Sequence, residues 1–251
     1  MKIIAPDYYP EFHCIAGACA HTCCAGWEID IDEKSLPRFL ASPDIARHVV
    51  LDGENAQIRL MPGERCPFLN EDGLCDMILC HGEDFLCDIC RDHPRFRNFR
   101  SDRVELGLGL VCETAAELIL FRDTPMRLIE LSSEQTKDYA DEEPLPPTEE
   151  EKALFCLRDS MLAELREVSG PAARLREYLI YRHLADALYD GRIAERIAFI
   201  GDACREITCA WTETDGSRQA MISCAARFSY DVEYDEEEKE RRIASFGARK
   251  E

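Results

Sequence analysis

Fourteen cysteines in a chain of 251 residues constrain its fold more than any other feature of the sequence. The N-terminus, Met1 to Pro10, lacks a basic region followed by an apolar core, so we expect a cytoplasmic protein. Because that compartment is reducing, the thiols point to metal binding or redox chemistry and not to disulfides. Ten of the fourteen precede Glu113, namely Cys14, Cys19, Cys23, Cys24, Cys66, Cys75, Cys80, Cys87, Cys90 and Cys112.

The spacing of these cysteines leaves two kinds of metal site open. Thiolates are soft, charged donors that bind zinc and iron, and small residues within 14–26 would let the backbone fold around one centre. A zinc ribbon would show two Cys-x2-Cys pairs, but only Cys87 and Cys90 have that spacing. The irregular spacing and the adjacent Cys23 and Cys24 favour an iron–sulfur cluster. Zinc is the second possibility. The third is that the thiols bind no metal and are buried as small hydrophobic side chains.

The chain divides by composition into a loop-rich part and a helical part. Glycine and proline recur through 1–112, which predicts an irregular Cys-rich region held together by metal. Apolar residues at helical spacing predict an α-helical domain over 113–251, with an exposed loop at 132–147. The predicted fold class is therefore mainly α, an irregular metal-binding region followed by a helical bundle.

Helix signals locate the elements of the second part. Thr148 and Glu151 form a capping-box pair at a helix start, and Pro171 suits the first position of the next helix. Further helices are predicted over 113–131, 192–212 and 217–234, and Asp235–Arg242 is predicted to be a charged, solvated extension.

The charge balance limits the partners of the chain. Thirty basic against fifty acidic residues give a net charge of −20, which repels a phosphate backbone and excludes general nucleic-acid binding. An acidic surface suits a lysine-bearing protein partner, although it also serves plain solubility. No apolar run approaches eighteen residues, so we expect no membrane-spanning helix.

Other candidate residues have simpler interpretations. The four later cysteines, at helical positions, are interpreted as core or surface thiols, and His183 as a packed histidine on a helix. Gly107-Leu108-Gly109 lacks the third glycine of a dinucleotide fingerprint. The four later cysteines are Cys156, Cys204, Cys209 and Cys224. Four histidines are interpreted as neighbours of the cysteines and not as ligands: His13, His21, His81 and His93.

The order of the cysteine motifs resembles a known family. The motifs are Phe12-x-Cys14, Cys19-x3-Cys23-Cys24-x2-Trp27, Cys66-Pro-Phe-Leu69, Cys90-x3-Pro94-Arg95 and Glu105-Leu106-x-Leu108-x3-Cys112. They resemble the bacterial flagellin lysine-N-methylase family, part of a wider group of zinc- or iron-chelating cysteine-cluster proteins. Cys80 and Cys87 fall outside the family pattern. The resemblance implies the metal ligands Cys14, Cys19, Cys23, Cys24, Cys66, Cys75, Cys90 and Cys112.

The same resemblance implies an enzyme, a lysine N-methyltransferase. It would act on surface lysines of flagellin, or of another lysine-bearing protein, with S-adenosylmethionine as donor and an iron–sulfur cluster, 4Fe–4S, or zinc in the protein. The alternative function is a non-enzymatic chelating module with a helical protein-interaction domain. For methyl transfer, the lysine must lose a proton before it attacks the donor. Candidate proton acceptors are Glu28, Asp30 and Asp32 beside Trp27, and Tyr178 and Tyr181 in the helical part.

Overall fold

A computed structural model describes residues 1–20, 22–132 and 143–248, which form two compact units. The smaller unit is His13–His93, and the larger unit joins Met1–Phe12 to Pro94–Glu251. The contacts divide the chain there and not after Cys112, where the sequence analysis places the boundary, because the first strand pairs with strands that follow Pro94. The smaller unit is therefore an insertion in the larger one.

A four-stranded mixed sheet in the larger unit is not predicted by the sequence analysis. β1 (Lys2–Pro6) runs parallel to β5 (Arg103–Leu108) and antiparallel to β6 (Leu128–Glu130). β4 (Arg95–Phe99) forms a hairpin with β5, giving the order β4-β5-β1-β6. β5 is buried from its second residue onward, as expected for a central strand covered on both faces.

Helices make up most of the rest of the larger unit, which confirms the mainly α prediction in this coarse form. The Thr148 hydroxyl accepts from the Glu151 N–H at 3.1 Å and the Glu151 carboxylate accepts from the Thr148 N–H at 2.9 Å, so the predicted capping box is present. The helices are α5 (Glu113–Leu120), α6 (Glu149–Ala163), α7 (Pro171–His183), α8 (Ala187–Asp190), α9 (Ile193–Thr212), α10 (Arg218–Phe228) and α11 (Glu236–Gly247), with a 3-10 turn at Leu184–Asp186 and a π-helical turn at Ser229–Glu233.

The helix predicted over 113–131 is shorter than expected. It ends at Leu120, and Pro125 lies in the extended segment that leads to β6. Proline cannot continue a helix, and it pushes the residue before it out of the helical region. An ion pair between Arg122 and Asp7, 2.9 Å long, holds this segment beside the chain that follows β1.

The prediction of a charged, solvated extension over Asp235–Arg242 holds for exposed residues such as Glu237 and Arg241, but the segment is also helical, which the prediction missed. These residues begin α11, whose first turn is capped by the Asp235 carboxylate accepting from the Glu238 N–H at 2.9 Å. The helix packs against α9, and Ile243 is fully buried. Its charged residues form pairs one turn apart, such as Glu238 with Arg242, which stabilise the exposed face.

Short elements and one hydrophobic core build the smaller unit. Its core gathers Phe39, Ile45, Ile58 and Phe68 together with buried cysteines. Its elements are α1 (Leu36–Ala41), α2 (Pro43–Ala46), the hairpin β2 (Val49–Asp52) and β3 (Asn55–Ile58), α3 (Asp76–His81), α4 (Asp88–Asp92) and the 3-10 turns Ala16–Ala18 and Glu83–Phe85.

Two earlier predictions fall on residues outside the described ranges. These are His21 and most of the loop predicted at 132–147, of which 133–142 are not described. Within the described ranges, no helix has both the length and the apolar composition needed to cross a membrane.

Candidate metal centre

Five cysteines meet in the core of the smaller unit. Cys66 and Cys87 are buried within it, and Cys24, Cys75 and Cys90 pack against it while partly buried. They come from three separate stretches of sequence, so the fold and not the sequence spacing brings them together. A dry environment of this kind suits thiolate ligands, because water competes poorly for a metal there.

Backbone pairing places the first two stretches side by side. The Cys66 N–H donates to the Cys24 carbonyl at 2.8 Å, and the Gly26 N–H donates to the Glu64 carbonyl at 3.1 Å. Gly26 has φ 87°, a left-handed conformation that favours glycine and turns the chain away after the pairing. Cys24 and Cys66 are thereby fixed as neighbours.

A tight loop joins Cys66 to Cys75. The Asn70 side-chain carbonyl accepts from the N–H groups of Asp72 at 3.1 Å and Leu74 at 2.9 Å, which closes an Asx turn at the tip. This loop returns the chain to the core of the smaller unit, so Cys66 and Cys75 both lie at that core.

The start of α4 presents the remaining pair. Cys87 is the residue before the helix, and Cys90 lies one turn further along. The Asp32 carboxylate accepts from the Asp88 N–H at 2.8 Å and so fixes the start of the helix. Burial raises the pKa of Asp32, but its hydrogen bonds with Asp88 and Ser35 outweigh burial and the pKa is lowered overall. Asp32 is therefore a structural carboxylate and a poor proton acceptor.

The thiols influence one another electrostatically. Burial, together with the charges of Cys24, Cys75 and Cys87, raises the pKa of Cys66 to about 11. A hydrogen bond with Cys23 lowers the pKa of Cys24 to about 7, and a hydrogen bond with Cys90 lowers the pKa of Cys87. Burial raises the pKa of Cys75, and the hydrogen bond with Cys87 raises the pKa of Cys90, so the shifts favour the metal-binding thiolate form at only two of the five thiols, Cys24 and Cys87.

The five thiols supply the donor type that a thiolate-bound metal requires. Four cysteine thiolates are the usual ligands of structural zinc and of iron–sulfur clusters. In the described part of the chain, no group of three or more His, Cys, Asp or Glu side chains is placed to hold a metal ion.

The other predicted ligands are distributed more widely. Cys14 is exposed, and its sulfur accepts from the Ala16 N–H at 3.4 Å. Cys19 ends the 3-10 turn, and Cys23 is exposed beside Cys24. Cys112 belongs to the larger unit, where it precedes α5 and packs against that unit's core. Their predicted role as ligands is not tested by these positions.

Gly17 packs the Cys14–Cys19 stretch closely against the loop between Cys66 and Cys75. A Cβ added at Gly17 would lie 3.0 Å from the Asp72 carbonyl oxygen and 3.0 Å from a methyl carbon of Leu74. The absence of a side chain at this position therefore allows the two loops to touch.

Cys87 is the cluster member that falls outside the family resemblance. It is only 1% exposed, whereas Cys80, the other additional cysteine, is exposed on α3. The sequence signal for Cys87 is its Cys-x2-Cys spacing with Cys90, the commonest ligand spacing in metal sites. The histidines nearby have other contacts: His81 lies 3.2 Å from the Asp44 carboxylate, and the His93 ring packs on Trp27 with 5.4 Å between centroids.

The candidate proton acceptors differ in accessibility. Tyr178 and Tyr181 are fully buried; the first donates to the Glu233 carboxylate at 3.0 Å and the second to a backbone carbonyl in β5. Burial raises the pKa of both phenols, so neither can serve a surface lysine. Glu28 and Asp30 keep exposed carboxylates, and Asp30 also accepts from the side-chain amide of Gln57.

Comparison with known proteins gives three similar proteins. The chain is 31% identical over 170 residues to a lysine-N-methylase of Salmonella choleraesuis (strain SC-B67) and 32% identical over 170 residues to a lysine-N-methylase of Salmonella typhimurium. Each match covers 62% of this chain and 42% of the relative, so the chain spans about two fifths of the length of these two proteins.

The third similar protein is matched over most of its own length. The flagellar biosynthetic protein FliU of Salmonella muenchen is 30% identical over 144 residues, which are 53% of this chain and 85% of that protein. No protein-family model matches the chain, and no solved structure does.

Proposed function

Because the chain belongs to the flagellin lysine-N-methylase family, we propose that it is a methyltransferase that modifies lysine side chains of flagellin, with S-adenosylmethionine as donor. The matches to two lysine-N-methylases carry the methyltransferase part of the proposal, and the match to 85% of FliU supports its flagellar part. The acidic surface of the chain, at a net charge of −20, supports a lysine-bearing substrate.

The reaction requires an uncharged lysine. S-adenosylmethionine supplies a methyl group on a sulfonium, which the lysine amine attacks as the carbon–sulfur bond breaks and S-adenosylhomocysteine leaves. A carboxylate of the chain must first take a proton from the lysine ammonium. Glu28 and Asp30 are the exposed carboxylates available for that transfer beside Trp27, whose face suits a cation.

The proposed metal ligands are the five cysteines of the smaller unit's core, Cys24, Cys66, Cys75, Cys87 and Cys90. They supply more thiolates than the four that a 4Fe–4S cluster or a zinc ion takes up. When bound, the metal would tie three stretches of chain into one unit. The remaining positions implied by the family, Cys14, Cys19, Cys23 and Cys112, stay predictions.

A methylation assay tests the function. The chain is purified without oxygen, its iron, zinc and sulfide are measured, and it is incubated with flagellin and labelled S-adenosylmethionine. We expect methyllysine in flagellin by mass spectrometry and none in serum albumin, a lysine-rich control. A metal-loaded protein that leaves flagellin unmodified would instead identify a non-enzymatic chelating module, the second candidate function of the chain with its compact thiol-containing unit.

A further inference from the structure

Two of the five core thiols of the smaller unit are in direct contact with each other. The Cys90 thiol donates a hydrogen bond to the Cys87 sulfur at the start of α4. The other three core thiols are hydrogen-bonded elsewhere: Cys24 to the side chains of Cys23 and Thr22, Cys66 to the backbone of Phe68, and Cys75 to the backbone of Met77 and Ile78. Cys87 and Cys90 are therefore positioned to react with each other.

The helix geometry at this pair suits a disulfide. Cys87 is the residue before α4, and its carbonyl accepts the helical hydrogen bond of the Arg91 N–H at 3.0 Å. Residues three apart in an α-helix have Cα atoms about 5 Å apart. A disulfide requires a Cα separation of about 4.4–6.8 Å, so the two sulfurs can bond without displacing the backbone.

A second hydrogen-bonded pair of thiols, Cys23 and Cys24, does not suit a disulfide in the same way. These two residues are adjacent, and consecutive Cα atoms lie about 3.8 Å apart across a trans peptide bond. That separation is below the range of ordinary disulfides, so a bond between them would be strained. Geometry therefore favours Cys87 and Cys90 over the adjacent pair.

Hydrogen bonds fix the chain on both sides of Cys87. The Arg38 guanidinium donates to the Leu86 carbonyl at 2.8 Å, before the cysteine. After it, the Asp32 carboxylate accepts from the Asp88 N–H at 2.8 Å. Because this backbone is already ordered, closing a disulfide here costs little further conformational entropy.

The oxidation that closes such a pair needs a small oxidant. Cys87 is 1% exposed and Cys90 is partly exposed, so hydrogen peroxide has a route to the pair that a protein oxidant lacks. Peroxide transfers one oxygen to one sulfur, which gives a sulfenic acid and one water. The other sulfur then displaces the hydroxyl group, which leaves with the second thiol proton as water. Two thiols and one peroxide thus become one disulfide and two waters.

We propose that Cys87 and Cys90 are a site of reversible oxidation, at which peroxide converts the two thiols into a disulfide. The disulfide leaves three thiols in the core, fewer than the four that a zinc ion or a 4Fe–4S cluster takes up. In a protein with the proposed metal centre, on which this consequence rests, oxidation releases the metal. A dithiol reductant restores both thiols and is itself oxidised to a disulfide.

Disulfide mapping of the full chain tests the proposal. The chain is purified without oxygen, treated with an equal amount of hydrogen peroxide, blocked at its free thiols and cleaved before each aspartate. Cleavage separates Cys87, in peptide 84–87, from Cys90, in peptide 88–91. We expect mass spectrometry to find these two peptides linked in most of the chain and separate after dithiothreitol. Separate peptides after peroxide, or Cys90 linked mainly to Cys66 or Cys75, would overturn the proposal.

Two controls show whether the fold selects the pair. Cys80→Ser removes an exposed thiol of α3, and we expect it to give the same yield of linked peptides as the wild type. Oxidation in urea leaves only sequence separation to decide the pairing, so we expect a mixture of linkages there. The same pattern of linkages in the native and the urea-unfolded chain would contradict selection by the fold.

The readout is a covalent bond and not activity, so a chain that does not methylate flagellin still tests this site. Linked peptides together with release of the bound metal would support both parts of the proposal. Linked peptides in a chain that keeps its metal would overturn the release of metal. A metal-loaded chain whose peptides stay separate would overturn the oxidation site and leave the metal centre standing.

Discussion

Cys87 and Cys80 offer the sharpest test among single residues, because the fold separates two cysteines that lie only seven positions apart in sequence. Cys87 lies in the core with Cys90, and Cys80 is exposed on α3. We expect Cys87→Ser to lose most of the bound metal, since serine is a poor ligand for the softer metals, and Cys80→Ser to keep it. Metal analysis of both variants checks this; equal metal content would remove Cys87 from the ligand set.

The ion pair between Arg158 and Glu105 is a second feature at the residue scale. Both side chains are buried, and two hydrogen bonds of 2.7 and 2.8 Å join them. We expect Arg158→Ala to lower the free energy of unfolding by about 3–5 kcal/mol, because it leaves a buried carboxylate unpaired. Arg205→Ala removes an exposed pair of 2.7 Å with Asp202 and should cost about 0–1 kcal/mol. Similar denaturant midpoints for the two variants would contradict the prediction.

At the scale of elements, local signals explain what the sequence could predict. The capping box at Thr148, the proline that begins α7 and the glycine that ends α8 act within a few residues, so the helices they bound were predictable. The sheet depends on pairing between β1 and β5, about a hundred positions apart, which no local pattern reveals. The grouping of the five core cysteines could not be predicted for the same reason, because backbone pairing and not sequence spacing brings Cys24 to Cys66.

The docking of α11 gives a prediction for an element whose sequence looks solvated. Ile243 is fully buried where α11 packs on α9. We expect Ile243→Ala to lower the free energy of unfolding by about 2–5 kcal/mol, because it removes a buried side chain and leaves a cavity. Glu237→Ala, exposed on the same helix, should change it by about 0.5 kcal/mol or less. Equal effects in chemical denaturation would mean that α11 does not pack as described.

The buried His183 and Glu233 of the larger unit contribute to the pH dependence of stability. Burial lowers the pKa of His183 below 6.5 despite its 2.6 Å contact with Glu233. Burial raises the pKa of Glu233, but hydrogen bonding with His183 and the charge of Arg182 outweigh it and lower the pKa to about 2. The unfolded chain therefore binds more protons below pH 6.5, and again between about 4.5 and 2, so stability falls as pH falls.

His183→Gln isolates the histidine part of this dependence. We expect the wild type to lose stability from pH 7 to 5 by at most about 1.4 kcal/mol per pH unit for this proton, and the variant to lose less over the same range. Urea unfolding at each pH measures both slopes. Parallel slopes for the two proteins would show that His183 does not contribute to acid sensitivity.

The insertion of the smaller unit between β1 and β4 predicts how the whole molecule would respond to removal of the proposed metal. The smaller unit has short helices, one hairpin and a core that includes the five thiols, whereas the larger unit has its own extensive core and its sheet. Loss of metal should therefore unfold His13–His93 selectively, because the metal would no longer link the three stretches of chain that carry those thiols.

We expect limited proteolysis of chelator-treated protein to cut within 13–93 first, while α6 to α11 stay protected. The Cys80→Ser variant should show the same metal-dependent protection as the wild type, and Cys87→Ser should be cut without chelator. Identical cleavage with and without metal would mean that the thiols only pack in the core and that no metal links the three stretches of chain.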